Sequence, residues 1–269
     1  MARSLTHQYA DLLRRRVGEL PADPSLEQLN EILRLLGRWR SQVLANTYLH
    51  HEGEVIREGP FAGMRYVHVA TEGALVPRLL GTYESELHPH LQAFAEEGVE
   101  VVIDVGCAEG YYAVGLARMM PQVVVHAYDI DEAARIACAE LAEKNGVADR
   151  VRIAAAFPQD GFQAFAGRKV LVMVDAEGAE LSILRPDLNP ALAGMNIIVE
   201  THDVYRKGAL RELVNRFAPT HTIVLVRQKP KTFEIPSWLH AQSHLDQLLA
   251  VWEWRAAPTP WLVMRPKAG

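Results

Sequence analysis

The stretch Asp104-Val105-Gly106-Cys107-Ala108-Glu109-Gly110-Tyr111 has the clearest capacity for chemistry. It follows a short apolar run, Val101 to Val105, and opens into helical spacing from Tyr111. Glycine at 106 and 110 lets the backbone turn tightly and approach a ligand with no side chain between them. Asp104 ends the apolar run, where a buried acid needs a partner, and a cationic amino group would serve. Further on, Tyr128-Asp129-Ile130-Asp131 places an acid roughly 20 residues past the glycines, the spacing at which such folds hold ribose hydroxyls. We assign Asp129 to a ribose and Asp131 to the cap of the next helix.

A second group lies downstream. Asp175 ends one apolar run and Glu200-Thr201-His202-Asp203 ends the next. An imidazole titrates near neutral pH, so His202 can act as general base toward a hydroxyl. It fits a loop histidine equally well. Asp175 can orient an acceptor or the amino-acid end of a cofactor. Asp175, Glu200, His202 and Asp203 are also hard oxygen and imidazole donors of the kind that take Mg²⁺ or a similar ion. Spacing alone shows no convergence, so a divalent metal ranks below the metal-free reading. Glu177 and Glu180 fit acids at the start of a helix beginning at Gly178. His50, His51, His88 and His90 read as surface residues. Cys107 reads as packing, and Tyr111 and Tyr112 as packing on cofactor or core.

The glycine loop is not a dinucleotide fingerprint. Ala108 and Tyr111 stand where G-x-G-x-x-G needs its second and third glycines, and Glu109 beside the helix start would repel a pyrophosphate.

These residues need a scaffold, and the pattern supplies one. Strand-like runs occur at Val101–Val105, Val123–Tyr128, Val151–Ala155, Val170–Val174, Asn196–Glu200, Thr222–Val226 and Trp261–Met264. Helical spacing separates the first three, at Tyr111–Met119 and Glu132–Lys144, the latter stopped by Asn145-Gly146. Continuous Val/Ile runs between helices indicate a parallel sheet buried on both faces, with ligands outside its carboxyl edge. Upstream, Leu5 to Val17 reads as a helix ended by Gly18 and Pro21. A second helix starts near Ser25 with a Ser25/Gln28 capping box and an apolar stripe from Leu26 to Val43. Met64 to Val69 is strand-like, and Tyr83 to Glu97 is helical in character.

Asp104-x-Gly106-x-x-x-Gly110, with Asp129, resembles the glycine-rich motif and ribose acid of class I S-adenosylmethionine (SAM)-dependent methyltransferases, over Val99 to Pro266. Val174-Asp175-Ala176-Glu177-Gly178-Ala179-Glu180, followed by Leu184, resembles the D-x-E-G-x-E signature of FkbM-type methyltransferases. Leu79 to Glu84 resembles an element that borders the cofactor in related enzymes. The resemblance implies a Rossmann-like, seven-stranded, mostly parallel α/β sheet whose seventh strand is antiparallel. It implies SAM as cofactor, with contacts from Tyr83, Glu84, Asp104, Gly106, Ala108, Gly110, Asp129, Ile130, Ala156, Phe157 and Asp175. It also implies methyl transfer to a hydroxyl of a small natural-product or sugar-like acceptor. No N-P-P-Y-like loop follows the fourth strand, which argues against DNA bases and glutamine. An N-methyltransferase on an amine or peptide is the alternative; a SAM-binding protein without turnover and a nicotinamide-dependent oxidoreductase follow.

The net charge of −5 speaks against a broad phosphate-binding surface, so no nucleic-acid partner is expected. Cys107 and Cys138 are the only cysteines, which gives no disulfide framework and no zinc spacing. Met1 to Leu20 lacks a signal-type apolar core, and no run is long enough to cross a bilayer. A cytoplasmic protein without a membrane partner is expected. The chain divides into a helical extension with short strands at 1–82 and a SAM-binding domain at 83–269. The N-terminal stripes need burial, over the acceptor pocket or in a homodimer.

Overall fold

The structure is a computed structural model that describes residues 4–66 and 73–267. Seven strands form one sheet: β1 (Val101–Val105), β2 (Val124–Tyr128), β3 (Val151–Ala154), β4 (Val170–Val174), β5 (Asn196–Glu200), β6 (His221–Val226) and β7 (Trp261–Pro266). Their order is β3-β2-β1-β4-β5-β7-β6. β1 to β5 pair in parallel, and β7 runs antiparallel to both β5 and β6. This is the Rossmann-like arrangement expected of the sequence. The order reverses between β1 and β4, the position where open α/β sheets form their ligand crevice.

Burial on both faces explains the continuous apolar runs. Successive side chains of a strand point to opposite faces. Val101, Ile103, Val170, Val172 and Val174 therefore pack with Leu213 and Phe217 of one covering helix, residues Ala209–Phe217. Val102, Leu171, Met173 and Ile198 face the other way, toward Leu91 and Phe94 and the helix Tyr111–Met119. In chain order the helices are α1 (Leu5–Gly18), α2 (Leu26–Glu52), α3 (Leu75–Leu80), α4 (His88–Glu96), α5 (Tyr111–Met119), α6 (Glu132–Lys144), α7 (Glu180–Ile183), α8 (Ala209–Phe217), α9 (Ser237–His240) and α10 (His244–Ala250).

Ser25 and Gln28 form the expected capping box of α2, which runs well past the apolar stripe that ended at Val43. Its second half enters the core through Leu44, Ala45 and Tyr48. Its first half does not. Leu26 and Leu33 are 77% and 68% exposed, so the stripe is left uncovered within one chain. The region Tyr83 to Glu97 is only partly helical. Hydrogen-bonded turns carry the chain to Leu87, and α4 begins where Pro89 can occupy the first turn. Met64 to Val69 yields one antiparallel bridge, Val55 with Arg65, and 67–69 lie outside the described residues. His88 is not a surface residue. It is half-buried, and burial lowers its pKa to about 4. No helix among the described residues is long and apolar enough to cross a membrane.

Candidate active site

A cavity of about 500 Å³ opens at the carboxyl edge of β1, β4 and β5. That volume suits a small organic ligand. Tyr83, Asp104, Gly106, Ala108, Asp175, Glu200 and His202 all line it, joining both groups of candidate residues in one space. The loop after β1 is pinned by Gly106 N–H and Cys107 N–H, which donate to Tyr128 O at 2.8 and 3.0 Å. Gly106 sits at φ +87°, and a Cβ there would lie 1.7 Å from the carbonyl oxygen of Asp175. Only glycine lets the ends of β1 and β4 approach this closely.

Asp104 is buried at the end of β1, and its Oδ2 accepts no hydrogen bond. Burial first, then the charge of Asp129, pushes its pKa up to about 7. A buried carboxylate oxygen with no donor calls for a cation, and the ammonium at the amino-acid end of SAM fits that need. Asp129 is fixed at the mouth of the loop: Ala108 N–H donates to Oδ2 at 2.9 Å and Asp131 N–H to Oδ1 at 2.8 Å. Each oxygen keeps a lone pair for a ribose hydroxyl. Asp131 caps α6 through Ala133 N–H, as expected.

Several expected cofactor residues lie outside the cavity lining. Ile130 is 88% exposed, and Ala156 is exposed as well. Phe157 packs edge-on against Tyr128. Gly110 (φ +96°) shapes the turn, where a Cβ would meet Cys138 Sγ at 2.8 Å. The Glu84 carboxylate is fully buried and spent on Arg255 and Tyr112 O–H. Burial, opposed by Arg255, raises the pKa of Glu84 to about 8.

Glu109 corrects the sequence reading more sharply. It is wholly buried, accepts hydrogen bonds from Tyr66 O–H (2.5 Å) and Arg78 Nη1 (2.9 Å), and does not sit beside the helix start as a bare charge. Its repulsion of a pyrophosphate is therefore largely cancelled, and the case against a dinucleotide rests on the missing glycines.

On the acceptor side, His202 is encircled by carboxylates. Its Nδ1–H donates to Glu180 Oε1 at 2.6 Å, and Nε2 lies 3.3 Å from Glu200, 3.5 Å from Glu177 and 3.7 Å from Asp175. Burial alone would lower its pKa. Hydrogen bonds to Glu180 and Glu200 and the charges of Glu200 and Glu177 outweigh that and push it up to about 10. An imidazole held charged has no lone pair for a hydroxyl proton, so His202 in this environment is a donor and not the base expected of it. Glu200 is held down at about 2 against its burial, by His202 and Arg255. Asp175 moves the other way: burial and the neighbouring Glu200 charge raise it well above the carboxylate range. Asp203 does not join the group. Its oxygens accept from Gly208 N–H and Leu210 N–H at the start of α8. Glu177 is exposed at φ +46° and caps no helix, since α7 starts at Glu180, whose own Oε1 accepts Gly178 N–H.

Sequence reasoning missed the loop that closes the cavity. Arg255 donates to Glu84, Glu200 and Glu253, tying the turn before α4 to the end of β5. Trp254 lines the cavity at φ +64° and lies under Arg38 of α2. Among the described residues the non-glycine left-handed positions are Glu84, Ala108, Glu177 and Trp254. The last three line the cavity, consistent with strain gathering at working sites. The available signal was the run Trp252-Glu253-Trp254-Arg255, two aromatics and an ion pair in a segment with no strand or helix pattern.

The sheet order with its antiparallel β7, the glycine turn and the two acids at Asp104 and Asp129 support a class I SAM-dependent methyltransferase. Residues 89–174, from α4 to the end of β4, match the family model of the ribosomal protein L11 methyltransferase (PrmA). No curated protein matches the chain. Among solved structures, an rRNA methylase from Streptococcus thermophilus is 14% identical with a TM-score of 0.46, covering 68% of this chain and 97% of its own. The O-methyltransferase TomG from Streptomyces achromogenes is 13% identical with a TM-score of 0.44, covering 67% and 81%. A human methyltransferase 10 domain containing protein is 11% identical with a TM-score of 0.47, covering 84% and 95%.

Proposed function

We propose that the protein transfers the methyl group of SAM to a hydroxyl of a small-molecule acceptor. The observation that carries the cofactor half is the orphaned, buried carboxylate oxygen of Asp104 beside the Gly106 turn. When bound, SAM supplies a methyl already activated by its sulfonium. The chain's own task is to align the acceptor, exclude water and take up a proton. Asp175 faces that hydroxyl with an Oδ1 that accepts no hydrogen bond, and because its raised pKa keeps a proton on the carboxyl, it takes up the hydroxyl proton only from its ionised form, which gains population as pH rises. Charged His202 and Glu200 position the acceptor beside it. The D-x-E-G-x-E segment supports an FkbM-like placement and a natural-product or sugar-like acceptor. The uncovered Leu26–Leu33 stripe supports a homodimer, and the absence of a membrane-length helix among the described residues is compatible with a cytoplasmic setting.

One observation favours a second reading. The cavity wall formed by Asp175, Glu177 and Glu200 is acidic, which suits a cationic amine, and the matched family model is that of a protein methyltransferase. Two measurements test both. Calorimetric titration with SAM should show binding that is lost in Asp129→Ala. Label transfer from methyl-labelled SAM should then favour hydroxyl compounds over amines and basic peptides. Failure to bind SAM removes the proposal, and label found only on nitrogen turns it to the second reading.

A further inference from the structure

We propose that Asp175, Glu200 and His202 form a site for one divalent first-row cation of the Mn²⁺ type, at the acceptor end of the cavity. The inference goes beyond methyl transfer and does not depend on it. One ligating atom from each of the three residues lies within 4.8 Å of the others, a spread that a single ion can span. Nδ1–H of His202 is committed to Glu180 Oε1, which aims Nε2 at Glu200 Oε2 and Asp175 Oδ1. Arg255 and Thr259 occupy the other oxygen of Glu200, Oε1, and leave Oε2 facing the imidazole.

Two features set this apart from a chance gathering of acids. Asp175 Oδ1, turned toward His202, is buried and accepts no hydrogen bond. Glu180 is wholly buried, its second oxygen also accepts none, and its hydrogen bond fixes the ring as outer-shell carboxylates fix metal-bound imidazoles. A dication would take the place of the proton on His202 Nε2 and join the carboxylates that flank it, so uptake releases a proton from the cluster. The imidazole in the set favours a transition ion over Mg²⁺ or Ca²⁺, which prefer oxygen alone. Glu177 Oε2, 3.5 Å from Nε2 and exposed to the cavity, is placed to serve as a further ligand. The remaining positions would be open to water or to an acceptor oxygen.

The test uses the full chain, freed of metal by chelation and titrated with Mn²⁺, with free ion read from its paramagnetic resonance signal. The wild type should take up one equivalent. Asp203→Asn, which alters only a helix cap, should do the same. Asp175→Asn and His202→Gln should each weaken uptake at least tenfold, and Glu180→Gln by roughly 10- to 100-fold. Asp175→Asn is the decisive variant, since its Oδ1 accepts no hydrogen bond in the metal-free fold, and an unchanged circular dichroism spectrum would exclude unfolding as the cause. SAM binding is followed in parallel. Absence of uptake by wild type that still binds SAM overturns the cation site alone, and so does uptake by Asp175→Asn and His202→Gln equal to wild type.

Discussion

Replacing Asp104 by asparagine should stabilise the free protein and cripple its hold on SAM. The side chain is buried, Oδ2 has no donor, and its pKa stands at about 7 against an ordinary 3.8. Each pKa unit is about 1.4 kcal/mol, so ionised Asp104 costs the folded chain on the order of 4 kcal/mol. The sign follows from the direction of the shift. A carboxyl whose pKa is raised on folding favours the native state at low pH. That advantage is lost as pH climbs from 3.8 towards 7, and the full penalty applies above 7. Asparagine has the same shape and carries no charge. At pH 8 the variant should therefore melt higher than wild type, by up to about 8 °C at ~2 °C per kcal/mol for a chain of this size. At pH 4 the two should melt nearly together. Ligand binding should run the other way, because an ammonium needs the carboxylate. Wild-type affinity for SAM should rise about tenfold per pH unit from pH 5 to 7 and level off above it. The variant should bind weakly with no such slope. Melting scans and calorimetric SAM titrations at pH 5, 6, 7 and 8 check both halves. Wild-type affinity that is flat with pH, or Asp104→Asn binding SAM like wild type, would refute the counter-ion assignment.

Other perturbations should separate structural from ligand-facing roles. Gly106→Ala places a side chain at φ +87°, a strain of roughly 1–2 kcal/mol, and a Cβ 1.7 Å from Asp175 O. The ends of β1 and β4 must part, so the urea midpoint should fall and SAM titration should show at least tenfold weaker binding. Arg78→Met removes the Arg78 guanidinium from buried Glu109 and leaves the Tyr66 O–H bond in place. It should cost about 3–5 kcal/mol by denaturant unfolding, with much of that restored in Arg78→Met/Glu109→Gln. Asp246 is lowered from 3.8 to about 2, chiefly by its hydrogen bond from Arg40. Its stabilising contribution is present above pH 4 and lost as pH falls toward 2. Asp246→Asn should thus be less stable than wild type at pH 7 and equal to it near pH 2, by urea midpoints.

Local sequence determines much of this protein. Runs such as Val101–Val105 and Val170–Val174 have a single stable use, as strands covered on both faces, and they occupy the expected residues. Asp131 and Ser25 cap the helices they precede, because a cap is satisfied within three residues. The Gly106–Gly110 turn and Asp129 are legible for the same reason: loop shape and the acid after β2 are properties of short segments. Tertiary structure alone decides charge and partnership. Glu109 reads as a free acid until Arg78, 31 residues away, is folded against it. His202 reads as a base until Glu180, 22 residues upstream, and Glu200 hold its proton. Asp203 stands next to His202 in the chain yet turns to α8, and Arg255 reaches Glu84 across 171 residues. The protonation state of a buried group depends on the low-dielectric field of everything packed around it, and that field exists only once the sheet has brought distant strand ends together.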